Sequence, residues 1–253
     1  MNLPGISEVI LSLIMVFLAI SISRYWRIPV VKDMALGSVR AFLQLIAVGY
    51  ALELIFDLES AWLVLLALII MIIVGAQAAS SRVASLKGAF SITIVSMSVG
   101  SLLTIGIMLI FQIISFEARY IIPLGGMIIS NSMNASALTI ERLSSDIRNN
   151  HLAIETSLSL GKSWRQASQK FIRVAATAGM IAILNFMKTV GIVALPGAMT
   201  GMILAGSEPL DAVLIQIIVA YMLLCAVAVT SIVTVELTVR KFFSRHHQLR
   251  HNI

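Results

Sequence analysis

The sequence predicts an all-α, polytopic membrane bundle of about seven transmembrane helices, with the N-terminus outside and the C-terminus cytoplasmic. Three observations point there. Of 253 residues, 59% are apolar and 12% charged, with a mean hydropathy of +0.99; a soluble domain carries about 25% charged residues and could not cover its surface with half of them. The apolar residues fall in long uncharged runs, each near the roughly 20 residues a crossing helix needs. The basic residues, 18 against 12 acidic ones, gather in alternate loops, as in a polytopic protein with a cytoplasmic face. A soluble enzyme, a disordered chain and a disulfide scaffold are excluded. The single cysteine, Cys225, lies in an apolar run and can form no intrachain disulfide.

The first span is read over residues 9–23, extended through Glu8, and the second over about 35–56, containing Arg40 and Glu53. The third covers 60–81, the fourth 88–114, the fifth about 120–140, the sixth about 174–194 and the seventh about 212–236. All are too long and too evenly apolar for the alternation of a membrane barrel. No basic residue precedes the first apolar stretch, which argues against a cleaved secretory signal; Arg24, Arg27 and Lys32 follow it instead. Residues 174–207 exceed one span and fall short of two. Lys188, Pro196 and four glycines (Gly191, Gly197, Gly201, Gly206) interrupt them, so a crossing helix is expected to be followed by a broken or re-entrant stretch over about 188–206. Residues 1–253 read as a single transmembrane domain.

Seven crossings from an outer N-terminus put 24–34, 82–87, the 141–173 loop and the 237–253 tail in the cytoplasm. Those segments and their flanks hold 16 of the 18 basic residues, only Arg119 and Lys188 falling elsewhere. The net charge of +6 thus has an explanation that requires no nucleic acid. His246, His247 and His251 read as part of a solvated tail.

No catalytic set is found: the sequence lacks HExxH, GxSxG and any Cys/His cluster at metal spacing, and calls for no cofactor. Gly161-Lys162-Ser163 looks like the end of a phosphate-binding loop, but Thr156 stands where the first glycine should be and no strand precedes it. The 141–173 loop is far longer than a connector needs. Leu158, Leu160, Trp164, Ala167 and Phe171 could form one apolar stripe on a helix over 155–170. Such a helix could lie on anionic lipid or dock in a groove of a partner protein, and periodicity does not choose between them.

Polar residues inside a membrane are costly and therefore informative. Arg40 and Gln44 stand one turn apart on the second span, Asn131, Ser132 and Asn134 cluster on the fifth, and Asn185 and Lys188 belong to the sixth. Hydrogen bonding between helices and snorkelling to the surface are the plain readings; a role in a translocation path is the sharper one. Met127, Met133, Met199 and Met202 fall in the same segments, as packing residues or soft-metal ligands. Gly197 and Gly201 have the GxxxG spacing that lets helices approach closely, within one chain or between two.

Several of these stretches resemble the FetB-type permeases. They are Ile122-Pro-Leu-Gly-Gly-Met-Ile-Ile-Ser-Asn-Ser-Met133, Leu158-Ser-Leu-Gly161 with Ala167, and Lys188-Thr-Val-Gly-Ile-Val-Ala-Leu-Pro-Gly-Ala-Met-Thr-Gly201. Arg40-Ala-Phe-Leu-Gln-Leu and Arg240-Lys-Phe-Phe with the downstream His-Gln-Leu are similar too, so the resemblance runs from about residue 34 to 249. It implies the membrane subunit of an ATP-binding cassette (ABC) transporter, associated in the family with iron export and metal resistance, related plant proteins being linked to aluminium tolerance. Two such permeases work with two separate ATPases in the cell (inner or plasma) membrane. The resemblance makes Glu155, Leu158, Gly161, Trp164, Arg165 and Ala167 the segment coupled to the ATPase, Gly161 at its turn. ATPase closure is expected to move the 155–170 helix and open a path lined by Arg40, Gln44, Met127, Asn131, Asn134, Lys188, Pro196 and Met199. An ion-gradient-driven transporter and a non-transporting scaffold are the rivals. Lys188 and the lack of a carboxylate cage suit a chelate, an anion or an amphiphile at least as well as a bare metal cation.

Overall fold

A computed structural model describes residues 5–58, 60–83, 86–244 and 248–250. His246, His247 and His251 lie outside the described residues. Among those residues the chain is helical throughout, with isolated bridges at Val190–Ala194 and Phe243–Leu249 and no strand. It divides into two compact units, Met1–Glu59 and Ser60–Ile253.

The first unit is a pair of helices, α1 (Ile6–Tyr25) and α2 (Val31–Leu58). The end of α1 is closed by a backbone motif in which Arg27 takes φ 53°, with Arg27 N–H donating to Arg24 O and Ile28 N–H to Ser23 O. Ser23 Oγ, 3.4 Å from Met34 Sδ, joins the two helices. No residue of α2 is buried, and its exposed positions include Leu36, Val39, Phe42, Leu43, Leu45 and Ile46. An apolar surface of that kind suits a hydrocarbon solvent.

The second unit comprises α3 (Ala61–Arg82), α4 (Ala89–Ile110), α5 (Ala118–Asn149), α6 (His151–Ser159), α7 (Trp164–Thr189), α8 (Gly197–Leu204) and α9 (Pro209–Phe242). Its centre is α5, which packs on α3, α4, α7 and α9. Buried positions on α5 recur every three or four residues, from Ile121 and Gly125 through Ile128, Ser132, Ala135, Thr139 and Leu143 to Ile147. On α9 the same period runs from Ala212 and Gln216 to Val239 and Phe242. Many of these positions are hydroxyls: Ser132, Thr139, Thr230, Ser231 and Thr234 are fully buried.

Small side chains bring the backbones together. At Gly179 of α7 a Cβ would run into Thr139 Oγ1 of α5, stand 2.7 Å from Ser231 Oγ of α9 and 3.0 Å from the carbonyl oxygen of Ala135. Only glycine admits that three-helix contact. Gly100 of α4 likewise faces Thr230, whose Oγ1 donates to Ser132 Oγ at 3.1 Å. At one end of the unit an apolar core gathers Leu86, Ala89, Ile140, Leu143, Ile147, Ile154, Val239 and Phe242, with Leu158, Trp164, Ala167 and Phe171 packed on it.

Among the described residues six helices (α1 from Ser7, α2, α3, α4, α7 and α9) are long and apolar enough to cross a membrane. The expected fifth span lies in α5, whose 32 residues give it ample length but whose Asn- and Ser-bearing middle makes it more polar. Surrounded by four helices, it has less need of an apolar exterior. Three boundaries differ from the sequence expectation. The 141–173 segment is not a loop: α5 continues to Asn149, α6 follows, and α7 starts at Trp164. Glu141, Arg142 and Arg148 are exposed on a helix that still buries Leu143 and Ile147, so charge ends an apolar run without ending the helix. The single 155–170 helix is likewise two helices, with Leu160 exposed in the turn between them. The fourth span stops at Ile110 rather than 114, because Gln112 takes φ 54° and closes the helix.

A substitution series at the glycines tests the packing. Gly179→Val overpacks the α5–α7–α9 contact by about 1–3 kcal/mol. At roughly 2–4 °C per kcal/mol for a chain of this size, its melting temperature in detergent falls by several degrees. Gly106→Ala, where a Cβ meets nothing within 4 Å, leaves the melting temperature unchanged or slightly raised.

Candidate functional site

The six residues assigned to coupling fall together on an elbow between α6 and α7. The end of α6 is a Schellman motif: Gly161 N–H donates to Leu158 O at 2.9 Å and Lys162 N–H to Ser157 O at 3.2 Å. That closure requires a left-handed residue after the cap, and Gly161 supplies it at φ 85°. Two residues on, Ser163 starts α7 with a capping box, its Oγ accepting from Gln166 N–H while its own N–H donates to Gln166 Oε1 at 3.0 Å. A stop and a start so close together fix the direction of both helices.

The elbow is anchored on three sides. Ile154 of α6 is fully buried in the apolar core, and Leu158 packs against it. The Trp164 ring stacks on Phe243, centroids 5.8 Å apart, and Ala167 packs on the same core. Arg165 Nη2 lies 3.0 Å from Glu236 Oε2, and Glu236 Oε1 is 2.7 Å from Arg240 Nη2. One carboxylate on α9 therefore holds an arginine from each of two helices. Both arginines are more than half exposed, so the pairing orients the elbow more than it stabilises the fold. Glu155 is half-buried on α6. The large apolar side chains left exposed on the elbow are Leu152 and Leu160, 68% and 77% exposed.

Of the residues assigned to a path, the six in the second unit are not brought into one lining. Arg40 and Gln44 are exposed on α2, in the first unit. On α5, Asn131 Nδ2 donates to Met127 O at 2.8 Å, within its own helix. Asn134 Oδ1 accepts from Arg82 Nη1 of α3 at 3.0 Å. Lys188 is exposed in the last turn of α7, and Pro196 caps α8. Met199 alone of the eight lines a cavity of about 420 Å³, formed by the end of α7, the 190–195 turn, α8 and α9. A Cβ added at Gly197 or Gly201 would meet nothing within 4 Å.

Sequence reasoning missed Glu236, which sits 71 residues from Arg165; only the folded pairing of α7 with α9 shows what it does. It also missed Gln216, buried in the wall of that cavity, although a lone amide in an otherwise apolar span is a readable signal. Among the described residues no three His, Cys, Asp or Glu side chains come together as metal ligands.

Comparison with known proteins gives the chain its relatives. Residues 6–243 match the model of the family described as "Uncharacterised protein family (UPF0014)". The UPF0014 membrane protein YjkA of Bacillus subtilis is 36% identical over 242 residues, covering 96% of this chain and 97% of the relative. The probable iron export permease protein FetB of Escherichia coli is 36% identical over 94% of this chain and 92% of its own length. The protein ALUMINUM SENSITIVE 3 of Arabidopsis thaliana is 32% identical, over 99% and 92%. No solved structure matches. With the family model spanning nearly the whole helical chain, and relatives over 30% identical from end to end, this multi-pass membrane protein belongs to the UPF0014 family.

Proposed function

We propose that the chain is the membrane-spanning permease subunit of an ABC transporter that exports iron or a metal-related solute, driven by a separate ATPase subunit. The observation that carries this reading is the elbow: a short helix, rigidly turned and braced on two long helices, with apolar side chains left facing outward. The name of the Escherichia coli relative, a probable iron export permease, supports the direction and the metal. Two permeases pair with two ATPases in the cell (inner or plasma) membrane, and Gly197 and Gly201, open within the chain, are available for contact between copies.

In this reading a groove on the ATPase receives Leu152 and Leu160, the helix-in-groove mode of recognition. Glu155, Leu158 and Gly161 set the shape of the docking helix. Trp164, Ala167 and Arg165 pass its displacement to α7 and α9, because Trp164 stacks on Phe243, Arg165 pairs with Glu236 and Ala167 packs on the core they share. The bundle then alternates access to a path reached from α5, α7 and the broken 190–206 stretch. Met127, Asn131, Asn134, Lys188, Pro196 and Met199 are proposed to meet it as the bundle moves, Met199 from the cavity wall it already lines. The elbow faces the cytoplasm, on the side that holds 16 of the 18 basic residues, and both the C-terminus and the ATPase lie there.

Labelling tests the orientation. In a Cys225→Ser background, a membrane-impermeant maleimide modifies Ser207→Cys in intact cells and reaches Ser159→Cys only after the membrane is opened; the reverse pattern refutes it. Coupling is tested by co-expression with a candidate ATPase and measurement of ATP hydrolysis and vesicle transport. Leu160→Glu, an exposed substitution expected to move stability by no more than about 0.5 kcal/mol, cuts assembly with the ATPase tenfold or more. Arg165→Glu meets Glu236 with like charge; the ATPase still copurifies but stimulation by the permease is lost. If both variants keep full stimulation, or if transport runs without any ATPase, the ABC reading fails.

A further inference from the structure

The cavity at the far end of α7 and α9 from the elbow has a chemistry that the proposed path does not explain. Its walls are the last turn of α7 (Met187), the turn after it (Val190), α8 (Met199) and α9 (Val213, Gln216 and Tyr221). About 420 Å³ is within the range of small-molecule sites, roughly 300–1,000 Å³. Among the described residues no charged side chain lines it, so an ion entering would lose its water without gaining a counter-charge. Thioethers and aliphatic side chains make most of the wall and suit an apolar body.

One wall group is out of keeping with the rest. Gln216 is 5% exposed, and its Oε1 accepts no hydrogen bond. A buried acceptor without a donor is costly, and a polar group inside a membrane span is retained against that cost. The oxygen itself lies behind the cavity wall, and a ligand that brings one N–H or O–H meets it once the Gln216 side chain turns toward the cavity.

We propose that this cavity binds an uncharged small molecule with an apolar body and one hydrogen-bond donor, the donor directed at the Gln216 carboxamide oxygen. The proposal rests on the transporter reading only in taking the occupant for a transported solute. Binding itself needs no ATPase. A metal using this site would have to arrive inside a neutral, apolar-coated chelate and not as a free cation.

The test uses the full chain in lipid nanodiscs and two fluorescent probes of nearly one shape, 1-aminoanthracene, which carries a donor, and 1-methylanthracene, which does not. Empty nanodiscs give the lipid background. Both probes bind saturably, with the amine tighter by about five- to tenfold, the effect of one net hydrogen bond. Gln216→Leu, which puts a similar-sized apolar side chain in place of the amide, abolishes the preference and leaves 1-methylanthracene binding unchanged; Gln216→Met does the same. Val213→Trp, filling the cavity from a half-buried position, weakens both probes tenfold or more. No saturable binding above the lipid background overturns the proposal. So does a preference that survives at Gln216→Leu, or full binding by Val213→Trp. Absent ATP-driven transport alongside intact probe binding would sink the ABC reading and leave this site standing; intact transport without probe binding would sink this site alone.

Discussion

The meeting of α5, α7 and α9 at Gly179 is the contact on which the larger unit depends. In hydrocarbon, apolar side chains gain little by leaving lipid for protein, so helices are held by close fit and by polar contacts between them. At Gly179 the fit is limiting, with two hydroxyls and a backbone carbonyl in the space a side chain would take. Gly100 repeats the device between α4 and α9. The hydroxyls do not act mainly as hydrogen-bond glue. Thr230 reaches Ser132, but Thr139, Ser231, Thr234 and Thr238 have no hydrogen-bond partner. Their small size, more than their polarity, sets the distance between helices.

That constraint explains which parts of the molecule were legible in the sequence. Long apolar runs and basic residues gathered in alternate loops marked the crossing helices, because the bilayer acts on composition. The break after Lys188 was legible for the same reason: Gly191 at φ 83° and Pro196 at the head of α8 interrupt the backbone where a span should continue. Charge, however, marks where an apolar run ends, not where a helix ends. Arg142 pairs with Asp146 at 3.0 Å along an exposed face of α5, and the helix carries on beneath them. The 158–171 stripe is not one helix because Gly161, at φ 85°, closes α6 just before Ser163 starts α7.

The candidate site was legible in its parts but not in its assembly. Leu158, Gly161, Trp164, Arg165 and Ala167 were singled out together, and the structure does gather them on one elbow. What anchors them, Glu236 and Phe243 at the end of α9, lies more than 70 residues away from Arg165 and Trp164 in the chain and carries no local motif. The proposed path residues fared differently. Asn131 and Asn134 have local or neighbouring partners, the ordinary outcome for amides in a bundle. The orphaned amide is Gln216, in a run whose apolar monotony drew attention away from it.

The elbow and the cavity sit at opposite ends of the same helix, and Gly179 lies between them. At about 1.5 Å per residue, Trp164 is roughly 22 Å from Gly179 along α7, and Thr189 is roughly 15 Å on the other side. The buried residues of α7 are few, Ser168, Ala175, Gly179 and Ile183, so it rests on its neighbours along a narrow stripe. A stiff helix held most tightly at Gly179 would pivot about that point if its end were pushed. A shift of the elbow would then arrive at Met187, about 12 Å beyond Gly179, reversed in sense and reduced by about half. The Schellman turn and the capping box matter for that transfer, because a slack elbow would absorb the shift before α7 moved. Glu236 adds a second route, since the carboxylate that holds Arg165 belongs to α9, the helix that carries Gln216 at its other end. A push on α6 would thereby reach two walls of the cavity at once. The geometry that makes Gly179 indispensable to packing also makes it the fulcrum between the proposed ATPase dock and the proposed solute site.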